Sequence, residues 1–384
     1  MSASQSREAV VVGGGLIGSS VAYQLARAGV GTLLIEQGDL ACGASGANFG
    51  RVQVQDTEFG LSLEITLQGY ARFATLEAEL NRDLGFRRAG SLLLIENEHQ
   101  WAIVEQRRAR LQASGIAAQL LERDAVCQLE PHLAPDSVIG ALYYPKEGQI
   151  DPFKLVHAYA LRGREHGLQV WTHTAVTGLR VQGERVTGVY TKDDWVPARW
   201  VILAAGAWTW HLGQTAGLDL PLQWVQGESL ITEALAPMVH NGMSSAAFFE
   251  QTEGAGEQVV GFCLNQRPQG QVMIGEAARL TRRLDRQVTP TGLPAIAGEA
   301  QKRFPMLRRV AVLRGWGIPV AFVPDNRPLL GPVEELGGLW VATGLKSTII
   351  WTPLVGEIVA AMVTGAGVDP RLAEFSPSRI VEEV

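Results

Sequence analysis

The opening of the chain constrains it most. Ala9–Val12 is a short apolar run, too short and too β-branched for a helix. It leads into Gly13-Gly14-Gly15-Leu16-Ile17-Gly18, then a helical pattern to Ala28, a Gly29 stop, and a second apolar run, Thr32–Ile35, ending at Glu36. This spacing predicts a βαβ unit of about thirty residues, the frame a GxGxxG turn needs. Gly13 makes the turn, Gly15 lets backbone N–H groups approach a pyrophosphate, and Gly18 lets the helix pack on its strand. Leu16 and Ile17 open the helix, whose partly positive N-terminus favours phosphate. Glu36, with Gln37 beside it, stands where a carboxylate accepts both ribose hydroxyls. It would repel a 2′-phosphate, so the nucleotide is FAD or NAD, not NADP.

The next stretch separates those two. Gly43-Ala44-Ser45-Gly46-Ala47-Asn48-Phe49-Gly50-Arg51 is small, polar and glycine-rich. An NAD domain normally continues into a further helix and strand. A second small-residue loop fits a pyrophosphate wrapped by backbone and hydroxyl groups on the way to a flavin ring. The glycine count agrees, at 43 of 384 residues, above the usual share of roughly 7%.

Other classes are disfavoured. The formal charge is −6, which argues against a nucleic-acid footprint. Cys42, Cys127 and Cys263 form no CxxC, and the seven histidines show no HxxxH or HExxH. Disulfide and zinc frameworks therefore both fail on spacing, no metal site is expected, and a reducing, cytoplasmic setting follows. Met1–Glu8 is polar, without the apolar stretch of an export signal. The apolar segment 338–368 is broken by Lys346, Pro353 and Glu357, so no membrane span is expected.

Farther along, the pattern predicts an amphipathic helix over 61–80, a strand over 86–95 and a charged helix over 101–114. Asp151-Pro152 reads as N-cap and first residue of a helix to His166. Strands follow at 169–173 and 175–182, with a hairpin return to 192 and a buried strand at 200–204. A β-rich region extends from about 221 to 323, then a strand at 339–342 and a helix over 353–363. The expected fold is α/β: a discontinuous Rossmann-like FAD-binding domain (1–60, 146–220, 324–384) with a β-rich α+β substrate or cap domain (61–145, 221–323).

Together, Gly13–Gly18 with Glu36, the Ser45–Gly50 loop, the run Ala204-Ala205-Gly206-Ala207-Trp208 and Asp325–Gly331 resemble the FAD-dependent D-amino-acid oxidase, glycine oxidase and sarcosine oxidase superfamily. Asn48–Gln55 and Gly270–Gly275 look closest to the β subunits of opine oxidases and hydroxyproline dehydrogenases. The resemblance implies oxidation of an amine or amino acid, typically secondary, by hydride loss from Cα to flavin N5, giving an imine that hydrolyses. It also implies a hetero-oligomer whose partner subunits carry an iron–sulfur centre or FMN. On the same basis the Ser45–Arg51 loop, with Asn48, Phe49 and Gly50, and Ala44 just before it, contacts the flavin. Val176 meets the adenine, and Ala205, Gly206 and Trp208 pass close to the nucleotide. Gly344, Leu345, Lys346, Ser347 and Thr348 address the flavin's N1–C2=O edge, with Lys346 contributing charge.

Three departures qualify that picture. Where amino-acid-oxidising relatives place a carboxylate-gripping arginine, this chain has Val320, and a valine cannot fork a carboxylate. Arg51 is the candidate replacement, with Arg267, Arg282 and Arg283 behind it; Glu228 and Glu250 are candidates for holding the amine. The usual Gly-His-Gly is replaced by Gly344-Leu345-Lys346. Residues 221–301 contain no lysine to assist O2, which favours a dehydrogenase passing electrons onward. Two rivals stay open: a non-catalytic flavin-binding scaffold subunit and an NAD-dependent dehydrogenase.

Overall fold

The computed structural model describes residues 7–250 and 259–379. Residues 1–6, part of the polar start on which the expectation about export rests, lie outside the described residues. The contacts divide the chain into two compact units: residues 1–86, 150–224 and 320–384, and residues 87–149 and 225–319.

The first unit is built on a six-stranded sheet. Its order is Leu329–Pro332, Leu339–Thr343, Trp200–Leu203, Ala9–Val12, Thr32–Ile35, Gln169–Trp171. All neighbours are parallel except the first pair. Every residue of Ala9–Val12 and Thr32–Ile35 is buried. That is why these strands read as continuous apolar runs: in a parallel sheet both faces are covered. One core cluster joins Val10, Val12, Leu33, Ile35, Val201, Leu203, Leu339 and Val341 to Val189 and Val196 of the antiparallel Val176–Gln182, Arg185–Thr191 and Trp195–Pro197 sheet.

The first helix, Leu16–Arg27, is buried along nearly its whole length. It meets the last helix, Thr348–Thr364, so closely that a Cβ on Gly356 would lie 2.3 Å from Ser20 Oγ. The Ser20 hydroxyl donates to the Thr352 carbonyl at 2.8 Å. Asp151 caps the Pro152–Glu165 helix as the sequence predicts, accepting from the N–H groups of Phe153 and Lys154.

The expected 61–80 helix is two, Leu61–Arg72 and Leu76–Leu80. Both group with the first unit, whereas the sequence division had put them with the second. The reason is a close helix crossing: Gly69 lies against the Ile350 carbonyl, where a Cβ would sit at 2.2 Å. The last helix begins at Thr348, five residues before Pro353. A proline inside the helix deprives it of one N–H donor without ending it here.

The second unit is built mainly on an eight-stranded sheet, ordered Val312–Phe322, Gln223–Ala234, Gln271–Thr281, Val259–Gln266, Gly242–Ser245, Ser91–Ile95, Gly140–Tyr144, Gln119–Glu122. Helices Glu98–Ala113 and Gly292–Arg303 belong to the same unit. Its core gathers Leu92, Leu94, Leu264, Ile274, Ile296 and Phe304. Among the described residues no helix is long and apolar enough to cross a membrane.

Candidate functional site

The site is built at the ends of the first unit's parallel strands, where an open α/β sheet offers its crevice. Gly13 has φ +112, a conformation L side chains rarely adopt, and a Cβ there would lie 2.4 Å from the Ala204 carbonyl oxygen. A Cβ on Gly18 would fall 1.8 Å from the Gly13 carbonyl oxygen. Gly15 differs: a Cβ there would meet only Ser45, with Oγ at 2.6 Å. Two glycines thus allow backbone packing, and the third lets Ser45 approach the helix end. Gly15 is the N-cap of the first helix and Leu16 its first residue. The Leu16 N–H donates to Ser45 Oγ at 2.9 Å, a bond spanning 29 residues that local pattern does not reveal.

That serine sits on a four-residue helix, Ala44–Ala47, inside the stretch read as a loop. Asn48 holds the next turn: its amide donates to the Ser45 carbonyl at 2.7 Å and its Oδ1 accepts from the Gly50 N–H at 2.8 Å. Phe49 is half-buried and Gly50 buried.

Glu36 ends the second strand and is only 8% exposed. Its carboxylate accepts from the Gly14 N–H at 2.7 Å on one oxygen, and from the Gly38 N–H at 2.9 Å and the Cys42 thiol at 3.3 Å on the other. The oxygen facing Gly14 keeps lone-pair capacity for a further donor. The segment leading to Val176 lies alongside, since the Thr174 N–H donates to the Glu36 carbonyl at 2.9 Å. Gln37 is exposed.

Ala205 lies next to Gly13, whose Cβ position is 2.9 Å from Ala205 Cα. Gly206–Trp208 forms one short 3-10 turn, and the Thr343 hydroxyl donates to the Gly206 carbonyl at 3.2 Å. The strand Leu339–Thr343 then delivers Gly344, with φ +71, and buried Leu345. Lys346 Nζ is 2.9 Å from Glu58 Oε1, and the Ser347 hydroxyl donates to Asp56 at 2.8 Å. The Thr348 hydroxyl donates to the Leu345 carbonyl at 2.8 Å and opens the last helix. The sequence reading passed over Asp56 and Glu58. No local periodicity links a carboxylate to a turn nearly three hundred positions away.

Arg51 begins the short strand Arg51–Val52, and its guanidinium donates to Gln53 Oε1 at 3.3 Å. Within the second unit, Arg282 is exposed. Arg267 sits at a hairpin turn, its N–H on the Gln271 carbonyl, and Arg283 pairs with Asp285 at 2.5 Å. Glu228 is fully buried and accepts from the N–H and hydroxyl of Thr289, and Glu250 accepts from Gln100 Nε2. Among the described residues no group of three His, Cys, Asp or Glu is arranged to hold a metal ion.

The arrangement suits a dinucleotide: a glycine-framed helix N-terminus, a hydroxyl-bearing loop beside it, and a fixed carboxylate at the tip of the neighbouring strand. The family model "FAD dependent oxidoreductase" (DAO) matches residues 8–362. Rat mitochondrial dimethylglycine dehydrogenase is 25% identical over 389 residues, covering 97% of this chain and 44% of that protein. The chain therefore spans less than half the length of that relative. Glycine oxidase of Geobacillus kaustophilus is 26% identical over 385 residues, 98% of each chain. Its crystal structure superposes with a TM-score of 0.87, covering 98% of this chain and 99% of the other. Hydrogen cyanide synthase subunit HcnC of Pseudomonas aeruginosa is 26% identical over 420 residues, covering 97% of this chain and 96% of that protein.

Proposed function

Because this chain belongs to the FAD dependent oxidoreductase family, we propose that it oxidises the carbon–nitrogen single bond of an amine or amino acid, as the catalytic subunit of a heteromeric dehydrogenase. A hydride leaves the carbon next to nitrogen, the nitrogen loses a proton to solvent, and the imine hydrolyses to a carbonyl compound and an amine. FAD, when bound, supplies the two-electron acceptor. The observation that carries this reading is the glycine-framed helix N-terminus at Gly15 beside the anchored Glu36 carboxylate.

The residues divide the work. Gly13, Gly15, Leu16, Ile17 and Gly18 back onto the pyrophosphate, with Ala44, Ser45, Asn48, Phe49 and Gly50 closing over it. Glu36 takes the ribose hydroxyls, with Gln37 and Val176 toward the adenine and Ala205, Gly206 and Trp208 along the nucleotide. Gly344, Leu345, Ser347 and Thr348 place the last helix's N-terminus where negative charge develops on reduction, and Lys346 adds to that field. Arg51 orients the substrate carboxylate in place of the arginine that Val320 does not supply. No general base is required of the chain if the amine arrives unprotonated.

Relatives named glycine oxidase and dimethylglycine dehydrogenase support the substrate class, and a relative named as a subunit supports the heteromeric form. The decisive experiment is anaerobic titration of the yellow holoprotein with sarcosine, hydroxyproline and an opine. Bleaching of the visible band by one of them is expected; persistent colour with all three favours the second reading, a flavin-binding scaffold subunit, which Val320 and the missing Gly-His-Gly support. Rapid stoichiometric H2O2 release by the isolated chain would count against the dehydrogenase assignment.

A further inference from the structure

We propose that Glu58, assisted by Asp56, is a positioning residue that fixes the Lys346 ammonium at the start of the last helix and offsets its charge. In this way it lowers the electron affinity of the bound cofactor. The inference rests on the reading that the 344–348 turn faces the flavin.

The turn does not hold its own shape. It contains two left-handed residues, and the second, Ser347 at φ +54, is not glycine. A non-glycine residue in this conformation is strained, so its surroundings must impose it. Ser347 is the N-cap, yet its side chain makes no capping bond to its own helix. Its hydroxyl instead donates to Asp56 Oδ1, and the next side chain outside the helix, Lys346, reaches Glu58 Oε1. One three-residue segment, 56–58, thereby grips two consecutive residues of the turn.

The electrostatics of the pair matter as much as its geometry. The Lys346 side chain is 20% exposed and Glu58 47%, so the lysine end of the pair is the better shielded from solvent. These groups line a small cleft with Thr57, Ser62, Asn326, Pro328 and Trp351. One ammonium and a helix end worth about half a positive charge face two carboxylates, so the local sum lies near zero or below. A lysine alone at this helix end would favour the reduced, negatively charged cofactor; beside Glu58 it does so only weakly. Glu58 acts through Lys346, by holding its head and neutralising its field.

The test is a double-mutant cycle on the holoprotein, read as midpoint potential by equilibration against reference dyes, with flavin content and thermal midpoint measured beside it. Glu58→Gln is expected to favour reduction about fivefold, from a charge effect of about 1 kcal/mol at a helix end. For a two-electron couple that is about 20 mV. Lys346→Met removes a charge that Glu58 already offsets, so it is expected to shift the equilibrium the other way by less than about fivefold. Without the lysine the Glu58 side chain, 47% exposed, turns to solvent, and the double variant should match Lys346→Met alone. Glu58→Asp, which keeps the charge but shortens its reach, should shift as Glu58→Gln does, by less. An unchanged potential in Glu58→Gln while Lys346→Met shifts would overturn the role of Glu58 and leave the turn's assignment standing. Equal shifts from Glu58→Gln with and without Lys346 would overturn the claim that it acts through the lysine. No shift in Lys346→Met with FAD still bound would instead remove the turn from the cofactor and the inference with it.

Discussion

The two helix ends of the first unit are made in opposite ways. At the start of Leu16–Arg27 the chain is shaped by its own glycines, and the atoms that crowd Gly13 and Gly18 are backbone atoms of Ala204, Ala205 and Gly13 itself. At the start of Thr348–Thr364 the shape is imposed from outside, by side chains of Asp56 and Glu58. Even Gly344 is crowded by a side-chain methyl, Val323 Cγ2 at 2.6 Å. Backbone neighbours cannot move aside, whereas a side chain can rotate. The first end should therefore be intolerant and the second adjustable, one suited to holding an invariant phosphate and the other to setting a field.

The largest effect should come from Gly18→Val. Its Cβ has no room beside the Gly13 carbonyl, so a loss of about 3 kcal/mol or more is expected, with little soluble protein and no retained flavin. Recovery of stable yellow protein would break the comparison at its rigid end. Glu36→Ala follows. It leaves the Gly14 and Gly38 N–H groups without their acceptor, and FAD affinity should fall about tenfold to a hundredfold, from a penalty of about 1.5–3 kcal/mol. Fluorescence titration of the apoprotein measures it.

A comparable effect is expected near the adjustable end. Arg379 donates to both oxygens of Asp325 and to the carbonyls of Arg327, Pro328 and Ser376, tying down the turn whose Asn326 and Pro328 line the Lys346 cleft. Burial pushes the Asp325 carboxyl upward, but the Arg379 guanidinium and the Arg327 N–H outweigh it and hold it below the usual aspartate range. A carboxyl depressed in the folded state stabilises above its unfolded value and loses that contribution as pH falls through the folded value. Arg379→Leu should thus cost about 2 kcal/mol at pH 7. The difference from the parent should shrink below about pH 4, the ordinary aspartate range, as seen in denaturant midpoints across pH. The smallest effect should be Gly344→Ala, about 1–2 kcal/mol from its left-handed backbone, with flavin retained. A loss as large as that of Gly18→Val would erase the distinction between the two ends.

How much was legible follows the same division. Ala9–Val12, Leu16–Arg27 and Thr32–Ile35 were read almost to the residue, because a buried parallel strand and a glycine-framed helix carry their signals within a few positions. Asp151 announced its helix through a capping side chain and a following proline. The last helix was misread at its start because Pro353 looks like a beginning. What opens it is a turn held by Asp56, which no window around 348 contains. The break at 73–75 and the placement of 61–86 were hidden for a related reason, since Gly69 matters only where Ile350 lies on it. In the second unit Glu228 and Glu250 drew attention as charged residues, but their bonds to Thr289 and Gln100 join segments distant in sequence and could not be read locally.

By itself the sequence determined the nucleotide end: a βαβ frame, three glycines with separate tasks and a terminal acid, each set by steric and hydrogen-bonding demands between near neighbours. Tertiary structure decided that Ser45 sits on the first helix's leading N–H, and that Lys346 is matched by Glu58 rather than left to solvent. Local backbone sterics are written into adjacent residues, but the balance of charge at a point in space depends on every segment the fold brings there.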